Sequence, residues 1–397
     1  MFSGDLVELK IIYTTLWTIN IFIFWKYGLK MSKYSEKKYW HFALLPILSY
    51  GVFMGLRFGR MIDYNYYCER YYALANDINA EDYEPLFKWI CHYLGQIGIP
   101  YYIFILLCDV FLIITLLAFL KDYRKAMPFM LIIFLNECNL VENYIRWYLG
   151  VAFFLIYMYN IGQNEMTKAN IVNAIISAIC ASSIHVGFVF LSIVFCAIRF
   201  IKFQLIPTKL CSLLFLFSLI FGSASILIYL EPYLSLLGID ERSSIYIDKF
   251  QNIISGEFGT LGIKEWSYFR IFRQFVAYSF GLYFLKRIVN YNKVSYMDIN
   301  CFSIGLIIFP IFKQVEILDR FSSVFTLYSI IILGSSYTYA MNNFRHLKQF
   351  EKLYFVVSMM FYFWPMLDNF RYRDWYNLMY IWDANGLEKL PVIYFLN

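Results

Sequence analysis

One stretch of an otherwise apolar chain gathers the residue types that do chemistry. GLRFGRMIDYNYYCERYYAL, residues 55–74, carries Arg57, Arg60, Asp63 and Arg70 among closely spaced tyrosines. Read as a helix from about Ile62, it places Asp63, Tyr66, Tyr67 and Arg70 at i, i+3, i+4 and i+7, on one face. A carboxylate that can take a proton, a guanidinium that can hold an anion and flat aromatic rings would then sit together. Tyr64 and Tyr71, seven apart, add an amphipathic stripe suited to the headgroup level of a membrane. The same spacing also fits an interfacial helix whose tyrosines serve only as anchors.

Further candidates follow along the chain. In YEPLFKWICHYLGQIGIP, residues 83–100, Glu84-Pro85 reads as a helix start, and Leu86, Phe87, Ile90 and Leu94 form one apolar stripe. Glu84 is then either a carboxylate favoured near a helix N-terminus or an acid–base group. Arg146 in ENYIRWYLG and His185 in SSIHVGF lie within apolar runs, where ionisable groups are costly and usually functional. Structural alternatives exist for both: Arg146 can snorkel or pair with Glu142 at i−4, and His185 can bond across helices. Asp109, equally deep, has no partner readable from spacing. Arg270 and Arg273 in YFRIFRQF share a helix face, and KQVEILDRF places Lys313, Glu316, Asp319 and Arg320 at a turn between apolar runs. Arg residues converging on one cavity would suit a diphosphate, which guanidinium grips bidentately.

Several chemistries lack support. No P-loop, dinucleotide fingerprint, serine nucleophile elbow or zincin motif is present. The eight cysteines form no C-x-x-C or metal spacing; Cys68 and Cys91 share one loop, and free thiols are the expectation for them. No metal and no cofactor is expected.

The elements that must position these residues are membrane helices. With 60% hydrophobic, 22% aromatic and only 16% charged residues, 397 residues cannot clothe a soluble surface. Apolar runs long enough to cross about 30 Å of hydrocarbon recur from end to end. The first, around Val7–Trp25, has Asp5 and Glu8 before it rather than a basic region, and reads as a retained helix. Six basic clusters mark connectors that face the cytoplasm: Lys26–Lys38, Lys121–Lys125, Lys168, Arg199–Lys209, Lys286–Lys293 and Arg345–Lys352. They hold 18 of the 34 basic residues, and only 5 of the 28 acidic ones accompany them, so the net charge of +6 is an orientation signal and calls for no nucleic acid.

Residues 171–198 have basic residues at both ends and exceed one ordinary span. Two short helices with an apex near Ser182–His185 keep both ends inside and make that apex a candidate cavity wall. The expectation is an all-α polytopic transmembrane protein with about twelve crossings, including short or re-entrant helices, and both termini outside. It forms a single integral membrane domain, residues 1–397, with long outward-facing loops at about 57–100, 231–267 and 368–397.

In motif order the chain resembles a known family. GLR before Asp63-Tyr64, EPLF at Glu84–Phe87, NYIRWYLG at Asn143–Gly150, SSIH at Ser182–His185 and the late Arg320-Phe321 are similar to the EpsG-like branch of Wzy-type polysaccharide polymerases, bacterial inner-membrane enzymes of the GT-C-like class. The family commonly has Gln after the intramembrane Arg, where this chain has Trp147. The resemblance implies transfer of a growing glycan from undecaprenyl diphosphate to a sugar hydroxyl of a second lipid-linked repeat unit, outside the cytoplasmic membrane. The product would be capsule, exopolysaccharide or O-antigen, and a chain-length regulator is a possible partner. A diphosphate leaves once its charge is neutralised, and an attacking hydroxyl needs a base. On that reading Arg57, Arg146, Arg273 and Arg320 bind the diphosphate. Asp63, His185 or Glu84 is the base, and tyrosines including Tyr64 and Tyr67 stack on sugar. An O-antigen ligase or other GT-C-like transferase is the alternative enzyme; a lipid-linked oligosaccharide flippase is the alternative outside catalysis.

Overall fold

The computed structural model describes residues 6–55, 57–58, 63–137, 144–163, 165–221, 268–312, 316–372 and 379–380. They are overwhelmingly helical. Contacts divide the chain into two compact units, Met1–Phe200 with Pro365–Asn397, and Ile201–Trp364.

In the first unit, α1 (Leu6–Lys33) and α2 (Glu36–Tyr50) form a hairpin, and α2 runs on into a π-helical turn at Gly51–Gly55. α5 (Tyr101–Leu120) lies antiparallel to α2. Gly55 sits against Leu106 at one end, Tyr39 donates to the Leu117 carbonyl near the other at 2.7 Å, and Lys121 pairs with Glu36 at 2.5 Å. The close approach needs glycine at two positions: a Cβ at Gly51 would run into Val110, and one at Gly55 into Leu106.

Tyr101–Glu137 is continuously helical and contains a strongly apolar stretch, yet it is two helices. A 3₁₀ turn at Lys121–Ala126 with non-helical Tyr123 precedes α6 (Met127–Glu137). α6 runs back along α1 and α2: Pro128 packs on Gly28, Trp25 on Phe129 and Tyr50 on Phe134. Its 11 residues reach about 16 Å, about half the hydrocarbon depth, and Met127–Leu135 are buried by protein as such a short helix requires.

α7 (Ile145–Gly162) runs alongside α5 in the same direction, with Phe111 on Phe153 at 4.9 Å. Residues 168–199 are two helices, as the charge placement predicts. α8 (Lys168–Ile184) starts at an N-cap where Thr167 accepts from Asn170 N–H; α9 (Gly187–Arg199) starts after a break at His185-Val186. Arg199 donates to the carbonyls of Ile161 and Gln163 (2.6 Å for the latter), so α9 ends beside the end of α7. The turns bearing Lys33, Lys121 and Lys168 therefore gather at one end of this unit.

At the opposite end lies a second hairpin, α3 (Asp63–Asn76) and α4 (Pro85–Gln96). The two approach closely where Gly95 meets Ala75. Gly98, at φ +78°, ends α4: Gly98 N–H bonds to Gly95 O and Ile99 N–H to Leu94 O, the paired bonds of a left-handed helix stop. Tyr64, Cys68, Tyr71 and Leu74 form the buried face of α3, against Phe87 and Cys91 of α4 and Tyr101, Phe104 and Ile105 of α5. The Tyr64/Tyr71 stripe, expected at the headgroup level, is thus core, because Cys68 and Leu74 complete a helical period that packs inward. Burial pushes both the Cys68 and Cys91 thiols up, and both are free. Beside the hairpin, β1 (Arg57–Phe58) pairs antiparallel with β2 (Met379–Tyr380), Arg57 opposite Tyr380.

The second unit contains α10 (Thr208–Phe221), α11 (Tyr268–Asn292), α12 (Tyr296–Phe312), α13 (Glu316–Asn342) and most of α14 (Gln349–Tyr372). Its basic turns also share one end. Arg287 of α11 pairs with Glu351 of α14 at 2.6 Å, and Asn300 at the start of α12 holds the loop before α10 through Phe203 O and Leu205 N–H. The expected loop at 231–267 lies outside the described residues, as does nearly all of the loop at 368–397 beyond Tyr372.

Candidate functional site

The N-termini of three helices meet at the non-basic end of the first unit. α4 begins at Pro85, α7 at Ile145 and α9 at Gly187. Each start leaves backbone N–H groups without intrahelical partners, together a field that favours an anion.

Glu84 supplies that anion. It occupies the N-cap position of α4 with extended backbone (φ −63°, ψ 148°), but makes no side-chain cap to its own helix. Its Oε2 accepts from Arg146 Nη1 at 2.6 Å and its Oε1 accepts from Val186 N–H at 3.0 Å. One carboxylate therefore ties α4 to the first turn of α7 and to the break before α9. Both side chains of the pair are 12% exposed. The Tyr83 ring covers the guanidinium, 4.8 Å from its centroid. Burial, with Tyr66 and Tyr67 close by, pushes the Tyr83 phenol up despite the opposing pull of Arg146, so it remains a donor. Arg146 uses one of its five N–H groups on Glu84, and its Nε is buried with no hydrogen-bond partner among the described residues.

His185 lies next to this carboxylate bridge. It ends α8 in extended conformation (φ −155°, ψ 120°), and its Nδ1 accepts from Gly187 N–H at 3.2 Å. The neutral ring then carries its proton on Nε2, which presents His185 as a donor in this arrangement. Trp147 holds the ring edge-on at 4.9 Å and stacks on Phe188 at 4.5 Å. Trp147 is buried and acts here as the wedge between α7 and the apex.

Beside the pair, Tyr67 packs against Tyr83 and Phe87, with ring centroids 6.4 and 6.3 Å away, and Tyr66 against Tyr67 at 5.6 Å. Arg70 pairs with Glu81 and lies over the Tyr66 ring at 5.0 Å. The Glu81 hydrogen bond holds the Arg70 guanidinium above its ordinary value, so it stays charged. The rings that α3 offers outward are Tyr66 and Tyr67. Tyr64 is fully buried against Tyr101 at 5.2 Å, which suits it to the core rather than to a sugar.

The structure thus brings Glu84, Arg146, His185 and Tyr67 into one region. Asp63 opens α3 and Arg57 lies in β1 at the same end, though their side chains fall outside the described residues, as does Glu142. Arg273 is buried in α11 and Arg320 half-buried in α13, both in the second unit. Asp109 is buried within α5.

Sequence reasoning missed the Glu84–Arg146 pair, the Tyr83 cover and the Val186 N–H. Sixty-two positions separate Glu84 from Arg146, and no periodicity reports a contact of that range. The signal that existed was the predicted break near His185, which implies an exposed helix start.

Comparison with known proteins identifies a family. No curated protein and no solved structure matches the chain. The EpsG family model matches residues 40–379, a range that runs from within α2 through α14 and holds every residue of the Glu84–Arg146–His185 site. The chain is a member of the EpsG family.

Proposed function

We propose that this membrane protein polymerises lipid-linked oligosaccharide repeat units on the outer side of the bacterial cytoplasmic membrane. About twelve crossings with both termini outside follow from setting the basic turns of each unit in the cytoplasm, the α3–α4 hairpin then lying outside. The observation that carries the reading is Arg146: a largely buried guanidinium at the convergence of three helix N-termini, in a member of the EpsG family.

The reaction needs what these residues supply. A hydroxyl of the acceptor sugar attacks the anomeric carbon of the donor glycan. The bond from that carbon to the diphosphate oxygen breaks, undecaprenyl diphosphate departs with the electron pair, and the hydroxyl proton passes to a base. Arg146, with Arg57 of the same unit, takes up the charge that develops on the leaving diphosphate. Asp63, His185 or Glu84 receives the proton. In the geometry observed, both Glu84 oxygens accept hydrogen bonds and His185 presents a donor, which favours Asp63 for the first step. Tyr66 and Tyr67 offer flat faces for sugar rings beside the site.

Purified protein in bilayer discs, supplied with an undecaprenyl-diphosphate-linked repeat unit, is expected to yield a ladder of glycan lengths. A single transfer to another acceptor would indicate a ligase instead, and no product at all would remove the proposal.

A further inference from the structure

We infer that the Glu84 carboxylate is a stand-in for the substrate's diphosphate: it occupies an anion position beside Arg146 and Val186 N–H and is displaced when a diphosphate binds. The inference rests on the reading of Arg146 as the diphosphate ligand and adds the competitor built into its site.

Three observations carry it. First, the carboxylate makes the contacts a phosphoryl oxygen would make, one from a guanidinium and one from the backbone N–H at the start of a helix. Second, the Glu84 side chain makes no hydrogen bond to its own helix: it stands at the N-cap of α4 yet leaves that cap unmade and reaches to α7 and to the break before α9. Third, Arg146 keeps donor capacity beyond this bond, with a buried Nε that no described residue engages. A diphosphate, with more charge and more acceptor oxygens than one carboxylate, can use the Nη1 and Val186 N–H contacts and the remaining donors as well.

Displacement has a structural consequence. Glu84 is the only side chain among the described residues whose hydrogen bonds join α4 to both α7 and the α8–α9 break. When a diphosphate takes its place, α4 is released from the apex while Arg146 and Val186 stay charge-compensated.

The test is calorimetric titration of the full-length protein in bilayer discs with inorganic pyrophosphate and, separately, with undecaprenyl diphosphate. Glu84→Gln removes the competing charge and is expected to bind both about tenfold more tightly, the worth of one charge-assisted hydrogen bond no longer lost on displacement. Glu84→Asp, too short to span both donors, should also tighten binding, and Arg146→Gln should abolish it. Asp serves if Gln does not fold. Unchanged or weaker binding in a folded Glu84 variant overturns the inference and makes Glu84 a purely structural tie. Tighter binding of undecaprenyl diphosphate alone, with pyrophosphate unaffected, also overturns it, because the gain would then come from the lipid. Glycan ladders from the wild-type protein are read independently. Tighter binding in Glu84→Gln without wild-type ladders leaves the exchange standing and removes the polymerase; ladders with no tightening do the reverse.

Discussion

Arg146 and Glu84 depend on each other more than on any other described neighbour, because each would otherwise be a nearly buried, uncompensated charge. Removing one partner of such a pair costs about 3 kcal/mol, whereas removing both costs less than the sum. Thermal unfolding of Arg146→Ala, Glu84→Ala and the double variant should therefore show a coupling of about 1–3 kcal/mol; additive losses would show that the two charges do not support one another. Tyr83→Leu keeps the bulk but loses the ring over the guanidinium, and a drop of about 1 kcal/mol in stability is expected from the same measurement. At this scale the sequence was half legible. Arg146 and His185 announced themselves by being ionisable in apolar runs, and Glu84 by preceding a proline. What hid was the destination of the Glu84 side chain: the local rule for a carboxylate at a helix start describes its own helix, and here the favourable start belongs to α9. Tyr64 misled for a related reason, since a tyrosine seven residues from another fits a wet interface and a packed core equally well.

Helices α7, α8 and α9 set the site's precision through one close approach. A Cβ at Gly150 would land inside contact distance of the Phe188 ring, and that ring has no room to retreat because Trp147 stacks on it and Phe154 packs beside it. Gly150→Ala should cost about 1–3 kcal/mol and reduce turnover, since the strain falls on the Trp147–His185 contact. Gly162→Ala, at the other end of α7 with open space around it, should be neutral or slightly stabilising and is the matched control. Equal effects at the two positions would contradict this packing. The α8–α9 break was legible because basic residues flank the segment on both sides and a single crossing would have separated them. The 3₁₀ turn between α5 and α6 was legible for the same reason, through Lys121, Arg124 and Lys125. The register of α3 against α4 was not: it depends on Gly95 meeting Ala75, a contact between elements that composition does not encode.

Across the whole molecule, each unit gathers its basic turns at one end, and the proposed orientation sets those turns in the cytoplasm. Single cysteines at Met166 and Phe203, which flank the α8–α9 pair and are exposed, should both resist a membrane-impermeant thiol reagent in intact cells and react after permeabilisation. A cysteine at Asn79, in the α3–α4 turn, should react at once. Labelling of only one of the two flanking positions in intact cells would mean that the pair is a single crossing. The most direct test of the central claim, that the Arg146 site transfers glycan from a diphosphate carrier, is polymerisation by purified protein with an undecaprenyl-diphosphate-linked repeat unit. The wild type should build a ladder of lengths. Arg146→Ala should slow it about 100-fold or more, by loss of a charge-stabilising donor, and Asp63→Asn should halt it if that carboxylate is the base. Full-length ladders from both variants would contradict the account.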